Sequence, residues 1–517
     1  MSRRAAVYNR FWHSQGGGER HSGMIAAVLS HDGVEVDLIG HTDVDKDELA
    51  DHLGLDLSRC RMRIVPDRGD RELSVISSDY DLLVNGSYMS RLLPRSRRSA
   101  YLCYFPTPFD SDMARWRQVA TRTFAPMLRS LTGTVDYGTG WFPPEGGRRR
   151  QWAWSNGDGI LTVPATDETR RIRMDLGAPG RPGPTVLRLV DESGALVADR
   201  VVSPQFERHY VAVPAAPRGM ELHLQSTAFQ APGTDTRTLG VAVSRLRLEG
   251  GRRGPRARMA YRFPWLLRDP ADISFLGRYD AVLVNSHYTR GWVERLWHSD
   301  SEVLYPPIQV QRLTPSPERE KTILSVGRFF PPHLGHAKRQ LEMVRFFRSL
   351  HHSGRLPGWQ LVVVGGCEPS RRPYLEQVQR EAEGLPVTVL PNAPRAQVER
   401  LLSTASVFWS ATGYGSDEER MPWAQEHFGM TTVEAMAGGC VPVVIDRAGQ
   451  REIVRDGIDG YRWNTPDQLL DRTAEVAHDE SLRARLSASA TARAATYDEP
   501  AFADRWHAIV AAHHLLD

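Results

Sequence analysis

Residues 426–454 read EHFGMTTVEAMAGGCVPVVIDRAGQREIV, a helical start that runs into Gly-Gly and then into the strand-like CVPVVI. A helix feeding an unbroken apolar strand is the pattern of a parallel sheet covered on both faces. Two carboxylates bracket the helix start, Glu426 just before it and Glu434 one turn inside. Gly429 frees the backbone, Thr431 or Thr432 stands where a cap would, and the unpaired N–H groups of a helix start attract an anion. The residues alone leave two readings open. One is a diphosphate held between two sugar-gripping carboxylates; the other is an ordinary charged helix start, where Glu is common.

At 517 residues the chain exceeds one hydrophobic core, so two or three domains are expected. Hydrophobic residues at 41% and charged residues at 25% describe a globular protein, and a net charge of +3 is too small to argue for nucleic acid. Arg95, Arg97 and Arg98, or Arg148 to Arg150, read as solvated faces. Cys60, Cys103, Cys367 and Cys440 lack metal-like spacing and read as free thiols of a reducing compartment. No apolar run reaches transmembrane length and no signal sequence opens the chain, so a cytoplasmic location with at most peripheral membrane contact is expected.

Glu, seven residues, Glu, with Phe-Gly inside and Glu-Ala-Met-Ala following, resembles the signature of the retaining nucleotide-sugar glycosyltransferases of family 4. The resemblance implies the GT-B fold, two Rossmann-like α/β lobes facing across a cleft. It implies that Glu426 contacts the transferred sugar, that Glu434 binds the ribose, and that the backbone from His427 through Phe428, Gly429 and Met430 to Thr431 approaches sugar and diphosphate. His427 in EHFG is closest to the mannosyltransferase-like members, which favours GDP-mannose as donor. A UDP-linked glucose, galactose or N-acetylglucosamine is the alternative.

The chain opens with AAVYNRF, a strand, then Gly16 to Gly18 and a helix. Three glycines before a helix make a tight turn or a ligand loop, and the pattern does not fit G-x-G-x-x-G. By resemblance this loop faces the acceptor and the donor phosphates, making His13, Gly17 and Gly18 candidates, with Glu19 and Arg20 orienting the helix start. Asp43-Val44-Asp45 spells D-x-D but lies in an exposed charged run and reads as a solvated helix start. The strand YLCYF ends at Tyr104 and Phe105, where family members often carry a histidine, so no such histidine is assigned. Tyr104 and His287 stand as acceptor-side candidates.

From about Gly140 the text becomes short β-rich segments parted by Gly, Pro, Asp and Asn, the pattern of an antiparallel sandwich. Trp152 and Trp154 in it read as packing residues, with saccharide stacking the lesser reading. The α/β pattern resumes at Met259, and DAVLVNSHYTRGWVERLW from Asp280 echoes DLLVNGSYMSRLL from Asp81, which predicts two neighbouring βα units of one sheet. Together with the resemblance, which implies the role of each lobe and the return of the last helix, the division is 1–139 and 253–310 for the acceptor-side lobe, 140–252 for an inserted module, 311–490 for the nucleotide-sugar lobe and 491–517 for a C-terminal helix packing back toward the first lobe. Family members typically lack the module.

In the second lobe KTILSVGRFF ends in Arg328, and Lys338 enters the next helix with Arg339 beside it. Cleaving a nucleotide-sugar bond builds charge on the leaving diphosphate, which fixed cations can neutralise in place of a metal. Family resemblance assigns this to Arg328 and Lys338, and places the base against Leu390, Pro391 and Asn392. Gly449 and Gln450 open a further phosphate-side loop. The expectation is a metal-independent retaining glycosyltransferase with no cofactor beyond its nucleotide-diphosphate sugar, acting on a glycan or glycolipid. A synthase or epimerase on the same fold, and a noncatalytic sugar-binding scaffold, are the competing functions.

Overall fold

The computed structural model describes residues 3–14, 16–65, 70–107, 135–138, 140–142, 145–147, 150–164, 169–216, 219–230, 237–249 and 273–517. Arg148, Arg149 and Met259 lie outside them.

The first lobe begins with β1 (Arg4–Tyr8), α1 (Gly17–His31), β2 (Glu35–Gly40), α2 (Lys46–Leu53), β3 (Cys60–Ile64), β4 (Leu82–Asn85) and β5 (Arg98–Cys103). Ala5, Ala6 and Val7 of β1 are fully buried on both faces, as expected of a central parallel strand. Asp45 caps α2, its carboxylate accepting from the amides of Asp47 at 2.8 Å and Glu48 at 3.0 Å. That accounts for one carboxylate of the D-x-D run as a helix cap.

The chain then forms β6 (Asp136–Tyr137), β7 (Glu145–Gly147), β8 (Arg150–Trp154), β9 (Asp158–Val163), β10 (Arg170–Gly177), β11 (Thr185–Asp191), β12 (Leu196–Val202), β13 (Glu207–Val213), β14 (Met220–Ser226), the small ribbon β15 (Phe229–Gln230) and β16 (Thr238–Leu239), and β17 (Ala242–Glu249). They build two five-stranded sheets, β13-β10-β17-β8-β7 and β12-β11-β14-β9-β6, whose pairings are all antiparallel. Alternating residues such as Ile172, Met174, Leu187, Leu189, Val211 and Leu224 are fully buried between them. Ala153 faces the core between the sheets, and the tryptophans on either side of it pack on the other face of β8, Trp152 against Phe206 at 5.8 Å and Trp154 against Phe229 at 5.9 Å.

Beyond the sandwich, β18 (Ala281–Val284), α3 (His287–Trp297) and β19 (Glu302–Val303) complete the first lobe's sheet in the order β19-β18-β5-β4-β1-β2-β3, all parallel. The echoing segments are therefore strands of one sheet but not neighbours, because β5 lies between β4 and β18. Likeness of two βα units reports a shared environment and carries no information on which edge each joins.

The second lobe contains β20 (Glu320–Val326), α4 (Gln340–His352), β21 (Gln360–Gly365), β22 (Val387–Pro391), β23 (Ala405–Ser410), α5 (Met430–Ala437), β24 (Val441–Ile445), α6 (Gln450–Ile453), β25 (Tyr461–Trp463) and α7 (Glu480–Ala494). Its parallel sheet has the order β22-β21-β20-β23-β24-β25. The last helix, α8 (Glu499–Ala512), returns to the first lobe and puts Phe502, Trp506 and Ile509 into its core beside Ile25 and Leu29. Strand order reverses between β1 and β4 in one sheet and between β20 and β23 in the other, and ligands of open α/β sheets bind outside the carboxyl ends of strands at such points.

Candidate active site

The loop after β20, the loop after β23 and the start of α5 meet at the second lobe's switch point. Gly429 is the N-cap of α5 in a left-handed conformation, φ 119°, and no side chain caps the helix. This corrects the expected threonine cap: Thr432 is buried with a hydroxyl that finds no partner among the described residues. The amides of Thr432 and Val433 bond back to Gly429 O at 2.9 and 3.2 Å, leaving those of Met430 and Thr431 at the helix's open end. Gly449 lies directly behind; a Cβ there would fall 2.6 Å from the carbonyl oxygens of His427 and Phe428, and its amide donates to Glu426 O at 2.9 Å. Gln450 reaches Ser410 Oγ at 3.3 Å. Both residues thus support the Glu426–Gly429 loop from behind.

The Glu426 carboxylate accepts from Lys338 Nζ and from Thr412 Oγ1, the latter at 3.2 Å. Burial pushes the Glu426 carboxyl up, but the adjacent Lys338 ammonium outweighs it and holds the group below its ordinary range. Lys338 reaches this place because residue 327 is glycine: a Cβ there would lie 2.4 Å from Lys338 Cγ. Arg339, in the left-handed region at φ 60°, turns instead to Ser416 Oγ at 3.0 Å and Glu342 at 3.3 Å. Arg328 is exposed at the mouth, 5.9 Å from the Phe330 ring. Lys338 and Arg328 therefore stand at different depths, one on Glu426 and one at the entrance.

Two histidines complete the wall. His427 stacks on Phe105 of the first lobe, ring centroids 4.2 Å apart and 11° from parallel, and His336 lies 5.8 Å from His427. Burial pushes the His427 imidazole down to about 3 and that of His336 down to about 4, so both are neutral at physiological pH. Phe428 points away and packs between Tyr305 and Tyr497 at 5.2 and 5.4 Å, so only its backbone faces the loop. The Glu434 carboxylate makes no hydrogen bond or ion pair among the described residues; burial pushes it up, partly offset by the charges of Arg20 and Arg395. Leu390 and Pro391 end β22 half-buried, while the Asn392 side chain bonds Cys367 N at 2.8 Å and Cys367 O at 3.2 Å.

In the first lobe each glycine of the triplet meets a different neighbour. A Cβ at Gly16 would lie 3.0 Å from Glu19 Oε2, one at Gly17 2.7 Å from Met430 Sδ of the opposite lobe, and one at Gly18 3.3 Å from the Tyr104 ring. Glu19 accepts from Gly16 N at 2.8 Å and Ser14 Oγ at 2.7 Å, closing the helix start. The Tyr104 hydroxyl donates to Gly18 O at 2.6 Å and lies 3.1 Å from Ser22 Oγ, so it is committed to α1. His13 is exposed near Phe11. His287 is exposed and donates its backbone N–H across the lobes to Glu452 at 2.9 Å; the same carboxylate accepts from Tyr288 N at 3.0 Å and Tyr305 OH at 2.9 Å. Sequence reasoning missed His336, Thr412, Glu452 and the Phe105–His427 stack. Only His336, two residues before Lys338 on the same loop, carried a readable signal. Among the described residues no group of three His, Cys, Asp or Glu side chains could hold a metal, and no helix is long and apolar enough to cross a membrane.

Two Rossmann-like lobes with facing switch points define the GT-B fold. Over the whole chain it is similar to Alr3699/HepE of Anabaena in complex with UDP (TM-score 0.53, 10% identity, 99% of this chain and 100% of that one) and to sucrose-phosphate synthase of Thermosynechococcus elongatus (TM-score 0.51, 12% identity, all of both chains). Residues 310–493 match the family described as Glycosyl transferases group 1, which relates the second lobe to nucleotide-sugar transferases. In sequence the chain is similar to the human GDP-Man:Man(3)GlcNAc(2)-PP-Dol alpha-1,2-mannosyltransferase, 27% identical over 239 residues, which are 41% of this chain and 44% of that protein. It is also similar to the alpha-1,3/1,6-mannosyltransferase ALG2 of Rhizomucor pusillus, 25% identical over 213 residues, 35% of this chain and 46% of that one. The chain spans less than half the length of these two relatives.

Proposed function

We propose that this protein is a metal-independent retaining glycosyltransferase of family 4, moving a hexose from a nucleotide-diphosphate sugar to a glycan or glycolipid. One observation carries the reading: Glu426, held ionised by Lys338, stands beside the open end of α5, whose amides are uncapped, with an unpaired Glu434 one turn further on. Glu426 orients the sugar, the α5 amides with Lys338 and Arg328 take the developing charge of the diphosphate, and Glu434 takes the ribose. The base lies against Leu390 and Pro391. The C1–phosphate bond breaks while the acceptor oxygen bonds C1 on the same face, and the acceptor proton passes to the departing phosphate oxygen.

In this reading residues 1–139 and 253–310 form the acceptor lobe, except that β6 (Asp136–Tyr137) joins the sheet of the inserted module, 140–252; 311–490 form the donor lobe and 491–517 the return helix, with Gly17, Gly18, His13 and His287 on the acceptor side. Tyr104 shapes that side from behind Gly18. The protein works in the cytoplasm, at the membrane face when its acceptor is lipid-linked.

For the donor, a UDP-hexose is the reading supported along the full chain, through the likeness to a protein solved with UDP and, in a second structure, with UDP and glucose. GDP-mannose is supported by His427 and by the partial likeness to mannosyltransferases. Thermal stabilisation separates them, since a ligand of the native state raises stability by RT ln(1 + [L]/Kd). A shift with UDP and none with GDP establishes the first; the reverse establishes the second; no shift with any nucleoside diphosphate overturns the donor-lobe assignment.

A further inference from the structure

The inserted sandwich has two outer faces of opposite character. On β13-β10-β17 the inward residues Ile172, Met174, Val211, Val213 and Val243 are fully buried, which turns the alternate residues out. Register then lays the outward residues in rows: Ala212 beside Arg171 beside Glu249, and Tyr210 beside Arg173 beside Arg247. The next row pairs Arg208 with Asp175. The register slips between Arg173 and Asp175, and Arg245, at φ 51° in that irregularity, also reaches this face, 3.9 Å from Asp175. Five arginines thus share three strands with two carboxylates, held at 3.7 Å (Arg208–Asp175), 3.8 Å (Arg173–Glu249) and 3.9 Å. Tyr210, 42% exposed, stands among them with the Arg171 guanidinium 5.9 Å from its ring. The outer face of the other sheet is different: Arg188 faces Asp199 across β11 and β12, and Glu221 of β14 meets Arg278 of the first lobe at 3.7 Å. That face adjoins the α/β lobe, so the arginine face is turned away from it.

We infer that the β13-β10-β17 face of the inserted sandwich is a binding surface for an acidic glycan segment, its guanidinium groups taking carboxylate or phosphate substituents and Tyr210 lying against a sugar ring. Guanidinium forks match planar oxyanions and an amphipathic ring covers a sugar's apolar face. Adjacent strands are about 4.8 Å apart and same-face residues about 7 Å along a strand, so the rows cover about 10 by 14 Å, the footprint of a short oligosaccharide and small for a bilayer contact. This surface is independent of the transfer chemistry and stands or falls separately.

The test is binding of the full-length protein to a defined oligogalacturonate, with a neutral maltodextrin of equal length and phosphatidylglycerol vesicles in parallel. The inference expects binding to oligogalacturonate that weakens with salt and none to maltodextrin. Affinity should fall about tenfold or more in the R173Q/R247Q double variant, through two lost charge-assisted contacts, and remain unchanged in R188Q on the opposite face. A second pair, R171Q/Y210A, guards against misfolding of the first, and the melting temperature of each variant is compared with the parent's. Equal affinity in folded variants and parent, equal binding of neutral and acidic glycans, or retention on vesicles without oligogalacturonate binding would each overturn it.

Discussion

Lys338 and Glu426 are a partly buried ion pair, and removing one member of such a pair costs more than the pair contributes. Lys338→Met leaves a carboxylate enclosed without a cation; stability should drop by roughly 3 kcal/mol and turnover by at least about a hundredfold. The double variant K338M/E426Q should recover most of the stability in a urea titration and none of the turnover. If the double variant also recovers turnover, the pair is structural. His21 gives a second residue-level prediction. It is fully buried between Tyr104 and Phe502, neither ring nitrogen has a partner among the described residues, and burial pushes its pKa from 6.5 down to about 3. The unfolded chain therefore takes up a proton that the folded one refuses. Stability is full above pH 6.5 and is lost as pH falls from there toward 3, at up to about 1.4 kcal/mol per pH unit from this group. In His21→Leu the slope of stability against pH in that window should be shallower by that amount; an unchanged slope would show that His21 is not held neutral.

At the scale of elements, Glu452 of α6 binds the two leading amides of α3 and the Tyr305 hydroxyl, capping a first-lobe helix from the second lobe. Glu452→Ala should loosen lobe closure, raising KM for the donor several-fold at little cost to the melting temperature, as steady-state kinetics would show. The central strands were legible because apolar runs such as LVVVG and VPVVI are short, rich in β-branched valine and bounded by glycine or broken by proline, which favours a buried strand over a buried helix. The helix cap was misread for a physical reason: two threonines at a helix start satisfy the capping rule, but Gly429 at φ 119° lets the chain turn two residues before the first of them. Glu452 and Thr412 stayed invisible since their roles depend on how two distant segments meet. The ambiguity between Lys338 and Arg339 resolved only in three dimensions, where Arg339's left-handed backbone sends it to Ser416.

Across the whole molecule, two parallel sheets and an antiparallel sandwich between strands β5 and β18 could be anticipated from the alternation of patterns along the chain, whereas the return of the last helix to the first lobe followed only from the family resemblance. The order of strands within a sheet could not, as β4 and β18 show, because sequence echo does not encode adjacency. Transfer with retention from a nucleotide sugar, without a metal, is decided by proton NMR of the product. UDP-glucose and GDP-mannose are followed in separate samples containing a chelator and a mixed set of short saccharide acceptors, with Glu426→Gln protein as control. One donor should be consumed, with a new α anomeric signal and a silent control; a β-linked product, consumption only after manganese or magnesium is added, or full activity of the control would contradict metal-independent retention through Glu426.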